Sequence, residues 1–198
     1  MRIYVVFVHP SHESFTYAVL GEFLHGLADA GHTVEVGDLY AMGFKTDMCL
    51  DEYTREMGLQ LEKPVPADVQ AEQAKINRAD ALAFVYPLWW SDCPAKLKGW
   101  FDRVWTYGYA YFYEEVGAHA TSEIKLKKAL AICAAGHTVE KLEVDGIAGA
   151  MRAVMINDRL LGVGVEAAEL AILGGMVGNP PDARARNLEA AYRLGLEF

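Results

Sequence analysis

The sequence predicts an α/β fold, a five-stranded parallel sheet of order 2-1-3-4-5 with helices on both faces. Three observations predict it. Five short runs rich in β-branched and aromatic residues recur along the 198-residue chain. Helix-period segments separate them in the order β-α-β-α-β-α-β-α-β-α, the alternation that builds a parallel sheet through right-handed crossovers. The first and third runs are apolar on both faces, as strands covered by helices on each side must be. The length suits one domain spanning residues 1–198, large enough to bury a core without metal or disulfide staples.

"RIYVVFV" is the first strand, and the polar turn "HPSHESFTY" follows it. Leu20, Phe23, Leu24 and Leu27 then recur at helical spacing, with Gly31 as the stop. "TVEVGDL" is a second strand, more alternating and so nearer an edge. Residues 40–66 form a long connection with a short helix expected near 52–61, and connections of this length are often functional. "PADVQAEQAKINRAD" is a helix starting after Pro66, and "ALAFVY" is the third strand. "CPAKLKGWFDRVW" starts a helix at Pro94, with Leu97, Trp100, Phe101 and Val104 as its buried stripe. Residues 107–122 are an aromatic loop, and "KKALAIC" is the fourth strand. Ile147, Ala150, Met151, Val154 and Leu161 place another helix. "AAELAIL" is the fifth strand, and "PPDARARNLEAAYRLGLE" closes the chain as a helix.

The net charge of −9 makes a nucleic-acid backbone a poor partner. Cys49, Cys93 and Cys133 are widely spaced and form neither a ligand pattern nor a disulfide framework. A reducing cytoplasm is the expected compartment. The apolar run 3–8 is too short for a leader and meets no cleavage site. The tract 160–178 is interrupted by Glu166 and Glu169 and reads as a helix end, a turn and a strand, so no transmembrane segment is expected.

In an open sheet of this order, ligands bind at the carboxyl ends of the strands where the strand order reverses. Three loops meet there: 9–16, 87–94 and 133–138. The first carries His9, Ser11, Ser14 and Thr16 ahead of a helix start. Such a start attracts a phosphate or is simply capped by its serine. His12 and Glu13 are too few for a metal site, and none is expected. The second loop carries adjacent Trp89 and Trp90, which cannot share one core pocket. At least one is expected at the loop surface, where an indole stacks on flat partners, unless both pack beneath the 40–66 connection. The third, "CAAGHT", is built of small residues that let backbone approach a ligand. His137 is either a donor to developing negative charge or a solvated loop residue. Neither a Walker motif nor GxGxxG is present. A phosphate loop, an aromatic platform and a close-approach loop match a flavin best.

The segments "HPSHESFTYA", "AEQAKINRADALAFVYPLWW", "PAKLKGWFDRVW", "GYAYFY" and "PPDARARNLEAA" resemble those of the NAD(P)H:quinone oxidoreductases of the DT-diaphorase type, within the flavodoxin-like superfamily. The resemblance covers nearly the whole chain. It implies a flavin-dependent enzyme, NAD(P)H dehydrogenase (quinone), that passes two electrons to a quinone-like acceptor by a ping-pong mechanism. It implies that His9, Ser14, Phe15 and Thr16 hold the flavin diphosphate and ribityl chain. Pro87, Leu88, Trp89 and Trp90 would line the isoalloxazine edge, and Cys133, Ala134, Ala135 and Gly136 would close on it from the third loop. Arg184 would lie near the adenine end of FAD, with FMN the alternative. Trp90, Ser91, Tyr111 and Tyr113 would form the acceptor pocket, the tyrosines reaching the partner in a homodimer.

Two departures from the family stand out. Ser91 occupies a position where an aromatic often walls the pocket. The family's Thr-Thr-Gly-Gly loop and its tyrosine and histidine are replaced, with Lys141 and Ile147 falling at the last two positions by ungapped counting. Lys141 or His137 is then expected to supply the positive charge that stabilises a reduced flavin. Other readings compete: an azo- or nitroreductase, an electron-carrier flavodoxin, or an ancillary subunit of a potassium-efflux system. The choices between FAD and FMN and between NADPH and NADH stay open.

Overall fold

The computed structural model describes residues 1–112 and 122–198. Its elements are β1 (Arg2–Phe7), α1 (Phe15–Asp29), β2 (Thr33–Asp38), α2 (Leu50–Met57), α3 (Ala67–Arg78), β3 (Ala81–Pro87) and α4 (Ala95–Val104). Then come β4 (Lys128–Ala134), α5 (Val139–Val144), α6 (Ile147–Met151), β5 (Ala168–Leu173) and α7 (Pro181–Glu197). All five strands pair in parallel in the expected order, β2-β1-β3-β4-β5.

Both faces of the sheet are covered, which is why the central strands read as continuous apolar runs. Ile3, Val5 and Phe7 of β1 pack with Ala83, Val85, Leu130 and Ile132 beneath α1 and α7. The alternate residues Tyr4, Val6, Phe84, Tyr86, Ala131 and Cys133 face the other way, toward Leu97, Trp100 and Phe101 of α4. On the first face α1 and α7 touch backbone to backbone. A Cβ at Gly26 would lie 2.0 Å from the Tyr192 carbonyl oxygen, and one at Gly195 2.2 Å from that of Phe23. Any larger residue at either position would drive these helices apart.

Two buried charge clusters stiffen the second face. Glu72 is fully buried; it accepts from the Tyr4 hydroxyl, from Trp100 Nε1 at 2.8 Å and from Lys75 Nζ at 2.6 Å. Arg103 donates to Glu52 at 2.7 Å, to Asp68 at 2.6 and 3.0 Å and to the Lys45 carbonyl at 2.8 Å. It therefore fastens the long connection after β2 to α3 and α4. The short helix in that connection is Leu50–Met57, a little earlier than periodicity placed it.

The segment after β4 departs from expectation. A short helix, α5, precedes the expected one, and α6 runs straight into seven residues of π-helix, Arg152–Asp158. Each π turn takes an extra residue, so the buried face rotates off the α-helical period. Met151, Met155 and Ile156 are buried, whereas Ala150, Val154 and Leu161 of the expected stripe are exposed.

Candidate active site

The three loops do converge at the carboxyl edge. Leu88 N–H donates to the Ala134 carbonyl at 2.8 Å, tying the second loop to the third. The third is in turn zipped to the loop after β5: Ala135 N–H reaches Leu173 O at 2.9 Å, Val177 N–H reaches Gly136 O at 3.1 Å, and Gly175 N–H reaches His137 O at 2.8 Å. Gly174 permits this approach, because a Cβ there would sit 2.7 Å from the His137 carbonyl oxygen. Asn187 of α7 braces the same turn through Gly174 O at 2.9 Å.

At the first loop, Ser14 caps α1, its hydroxyl accepting from Tyr17 N–H at 3.1 Å. The first-turn amides of Phe15 and Thr16 have no carbonyl one turn back within the helix, which leaves an anion-receptive helix start. The Ser14 cap and that start therefore coexist. His9 Nδ1 lies 3.0 Å from both the amide and the carbonyl of Ser11. Burial pulls its pKa down, against an opposing pull from the Ser11 backbone, and favours the neutral ring. His12 pairs instead with Asp38 at 2.7 Å and stacks on Tyr17. Among the described residues no group of three or more His, Cys, Asp or Glu is arranged to hold a metal ion.

The second loop is a tight turn. Trp89 and Asp92 exchange backbone hydrogen bonds at 3.0 and 3.2 Å, and between them Trp90 and Ser91 both have left-handed backbones, φ 50° and 66°. Two-residue hairpins of this hand ordinarily carry Asn-Gly. A side chain in that region costs about 1–2 kcal/mol per residue. The Trp90 side chain is nonetheless fully exposed, at 101%. Packing beneath the long connection is thereby excluded for Trp90. Trp89 is part-exposed and meets the His9 ring edge-on, centroids 5.9 Å apart. Trp100 and Trp105 belong to the core side: Trp100 is buried on Glu72, and Trp105 Nε1 donates to the Arg159 carbonyl at 2.8 Å.

Some residues far apart in sequence meet here. The Arg184 guanidinium lies over the Phe15 ring, 5.3 Å from its centroid, which joins the start of α7 to the start of α1. Tyr111 donates to Glu56 of α2 at 3.2 Å; Tyr113 lies outside the described residues. Cys133 and Ala134 end β4 as buried residues, whereas Gly136 and His137 are exposed. Lys141 is in α5 and pairs with Asp145 at 2.8 Å on the surface. Sequence reasoning passed over Asp92 and Arg159, whose charges meet behind the Trp90 turn. The visible signal was an arginine followed directly by two leucines in "VMINDRLL".

The fold and this edge define a parallel α/β protein whose switch point brings together a helix start, an exposed indole and a loop of small residues. Residues 1–194 match the family model for the flavodoxin-like fold. An NAD(P)H:quinone oxidoreductase from Methanothermobacter marburgensis has 55% identity and a TM-score of 0.94, covering 100% of this chain and 96% of its own. NAD(P)H dehydrogenase [quinone] 1 of Cavia porcellus is 32% identical over 99% of this chain and 76% of its own length. A ribosyldihydronicotinamide dehydrogenase-like protein of Penicillium crustosum is 33% identical over 81% of this chain and 68% of its own. The chain belongs to the NAD(P)H quinone oxidoreductase family of the flavodoxin-like fold.

Proposed function

We propose that this chain is a flavin-dependent NAD(P)H dehydrogenase that passes two electrons to a quinone-like acceptor, with one site serving donor and acceptor in turn. The single observation that carries the reading is the pairing of a helix start, whose Phe15 and Thr16 amides have no carbonyl one turn back, with the fully exposed indole of Trp90 at the same sheet edge. The residues fit a flavin: an anion-receptive start for phosphate, an indole with none of the described residues against it, and a small-residue third loop. When bound, the flavin supplies the hydride-accepting and electron-donating chemistry.

The chain's own residues then have assignable roles. Ser14, Thr16 and the α1 amides hold phosphate, and His9 closes that loop as a neutral ring. Pro87, Leu88, Trp89 and the backbone from Cys133 to Gly136 frame the ring edge. Trp90 and Ser91 face the acceptor, with Tyr111 completing the pocket in a homodimer. Arg184, stacked on Phe15, favours FAD over FMN because it adds a cation at the start of α1 that would suit a second phosphate. His137 on the third loop, or Lys141 on the helix that follows it, supplies positive charge on that side of the edge. No helix among the described residues is long and apolar enough to cross a membrane. A reducing cytoplasm is the compartment that the three free cysteines favour.

Two measurements test this reading. Heat-released cofactor identified by mass should be FAD. NAD(P)H oxidation with a quinone should give parallel double-reciprocal lines, whereas intersecting lines would overturn the shared site. A protein that binds flavin but oxidises no NAD(P)H would instead be an electron carrier or an ancillary subunit.

A further inference from the structure

The Trp90 turn raises the question of what holds a doubly left-handed backbone whose largest side chain packs on none of the described residues. The backbone pair Trp89–Asp92 closes the turn but does not orient it relative to the sheet. The one charged side chain that closes the turn is Asp92. Its Oδ1 accepts from Cys93 N–H at 2.7 Å, which locks the carboxylate over the start of α4. Arg159 reaches both carboxylate oxygens, Nη1 to Oδ1 at 3.4 Å and Nη2 to Oδ2 at 3.5 Å. At these lengths charge attraction contributes more than directional bonding.

Arg159 is itself wedged. It is 9% exposed, its guanidinium lies 5.4 Å from the Phe101 ring centroid, and Nη1 is 3.4 Å from Cys93 Sγ. Its carbonyl accepts from Trp105 Nε1, and its N–H closes a π-type turn on the Val154 carbonyl at 3.0 Å. The π segment thus delivers residue 159 inward, against α4. Burial raises the Asp92 pKa, but the Cys93 amide and the Arg159 charge outweigh it, and the carboxyl titrates below its usual range. The same neighbourhood leaves Cys93 a thiol, its pKa pushed up to about 12 chiefly by burial.

We propose that Arg159 is a positioning residue for the acceptor: through Asp92 it fixes the pose of the Trp90–Ser91 turn and so sets which quinones the pocket accepts. The proposal rests on the functional reading above. Arg159 touches neither acceptor nor cofactor and acts only through the turn. A fixed indole rewards a broad, flat acceptor more than a small one, so the device selects for ring size.

The test uses the flavin-loaded protein and a benzoquinone and a naphthoquinone as paired acceptors. Arg159→Met keeps the stem and removes the charge; Asp92→Asn, at a part-exposed side chain, removes the partner and keeps the test open if the first variant folds poorly. Each should raise the naphthoquinone KM about tenfold with kcat little changed, the scale of a small displacement of a positioning group. The benzoquinone KM should change less. The double variant should be no worse than the worse single, and Arg159→Lys should recover most of the loss. Unchanged acceptor selectivity in both singles, or additive losses in the double, would overturn the proposal. A wild-type protein that reduces neither quinone would instead refute the functional reading.

Discussion

The four tryptophans lie between residues 89 and 105 and divide at Pro94. Trp100 is wholly buried and Trp105 half-buried, each with its indole N–H bonded inside the chain. Trp89 and Trp90 are exposed, and Trp90 is held there by a strained turn. Identical side chains therefore carry opposite loads. C-terminal to the proline they stabilise; N-terminal to it the fold bears strain to keep an aromatic ring out of the core. On the proposed function that division keeps a surface for a ligand, and substitutions on the two sides should separate stability from activity.

The largest effect belongs to the core side. Arg103→Met should lower unfolding free energy by about 3–5 kcal/mol, because it leaves Asp68 and Glu52 without the cation that pairs them. Urea unfolding at neutral pH measures it. The contribution also has a pH window. Arg103 holds the Asp68 pKa low; at Glu52 burial pushes upward, but the Cys49 amide and Arg103 prevail. Depressed folded pKa values give stability that is complete above the unfolded carboxylate pKa and is lost as pH falls through the folded one. The wild-type urea midpoint should therefore fall with acid more steeply than that of Arg103→Met; equal slopes would show the clamp to be inert.

Trp100→Phe comes next. It keeps most of the ring volume but removes the N–H that satisfies buried Glu72. The expected loss is about 1–3 kcal/mol for a buried acceptor deprived of a donor, read from the same unfolding curves, with quinone reduction retained. Trp90→Gly should invert that pattern. Glycine accepts φ 50° without penalty, so stability should rise by roughly 1 kcal/mol, while kcat/KM for a naphthoquinone falls at least about tenfold with the loss of a stacking face. A Trp90→Gly protein that is less stable, or equally active, would break the comparison.

How much of this was legible beforehand depended on the range of the cause. The strands and their order follow from apolar runs and helix periods, both local signals. That at least one of Trp89 and Trp90 reaches the surface followed from topology, since two adjacent indoles at a switch point cannot share a pocket. The helix after β4 misled because a π turn shifts the buried face by a residue, and a 3.6 period has no term for it. The left-handed pair at Trp90–Ser91 was invisible because neither residue is the glycine or asparagine that announces such a turn. The Phe15–Arg184 stack and the Asp92–Arg159 contact join residues distant in sequence, and no local pattern encodes them. The resemblance placed Phe15 and Arg184 near one ligand; it offered nothing for Arg159.

The smallest effect concerns the charge at the third loop. His137 is exposed, its carbonyl bound by Gly175, and Lys141 is committed to Asp145 on the solvent side of α5. An exposed i,i+4 pair is worth about 0.3–0.5 kcal/mol, and water screens the cation in the same measure from anything on the sheet edge. Lys141→Ala should therefore slow hydride transfer from NAD(P)H by about twofold at most, measured by stopped flow at the flavin absorbance. His137 lies on the loop itself rather than on the following helix, so His137→Ala should cost more than Lys141→Ala. If both variants transfer hydride at the wild-type rate, positive charge from these two side chains is not part of the reaction. The exposed loop amide of Gly136, beyond the end of β4, would then be a source of stabilisation at that edge, through a backbone dipole that no side-chain substitution removes.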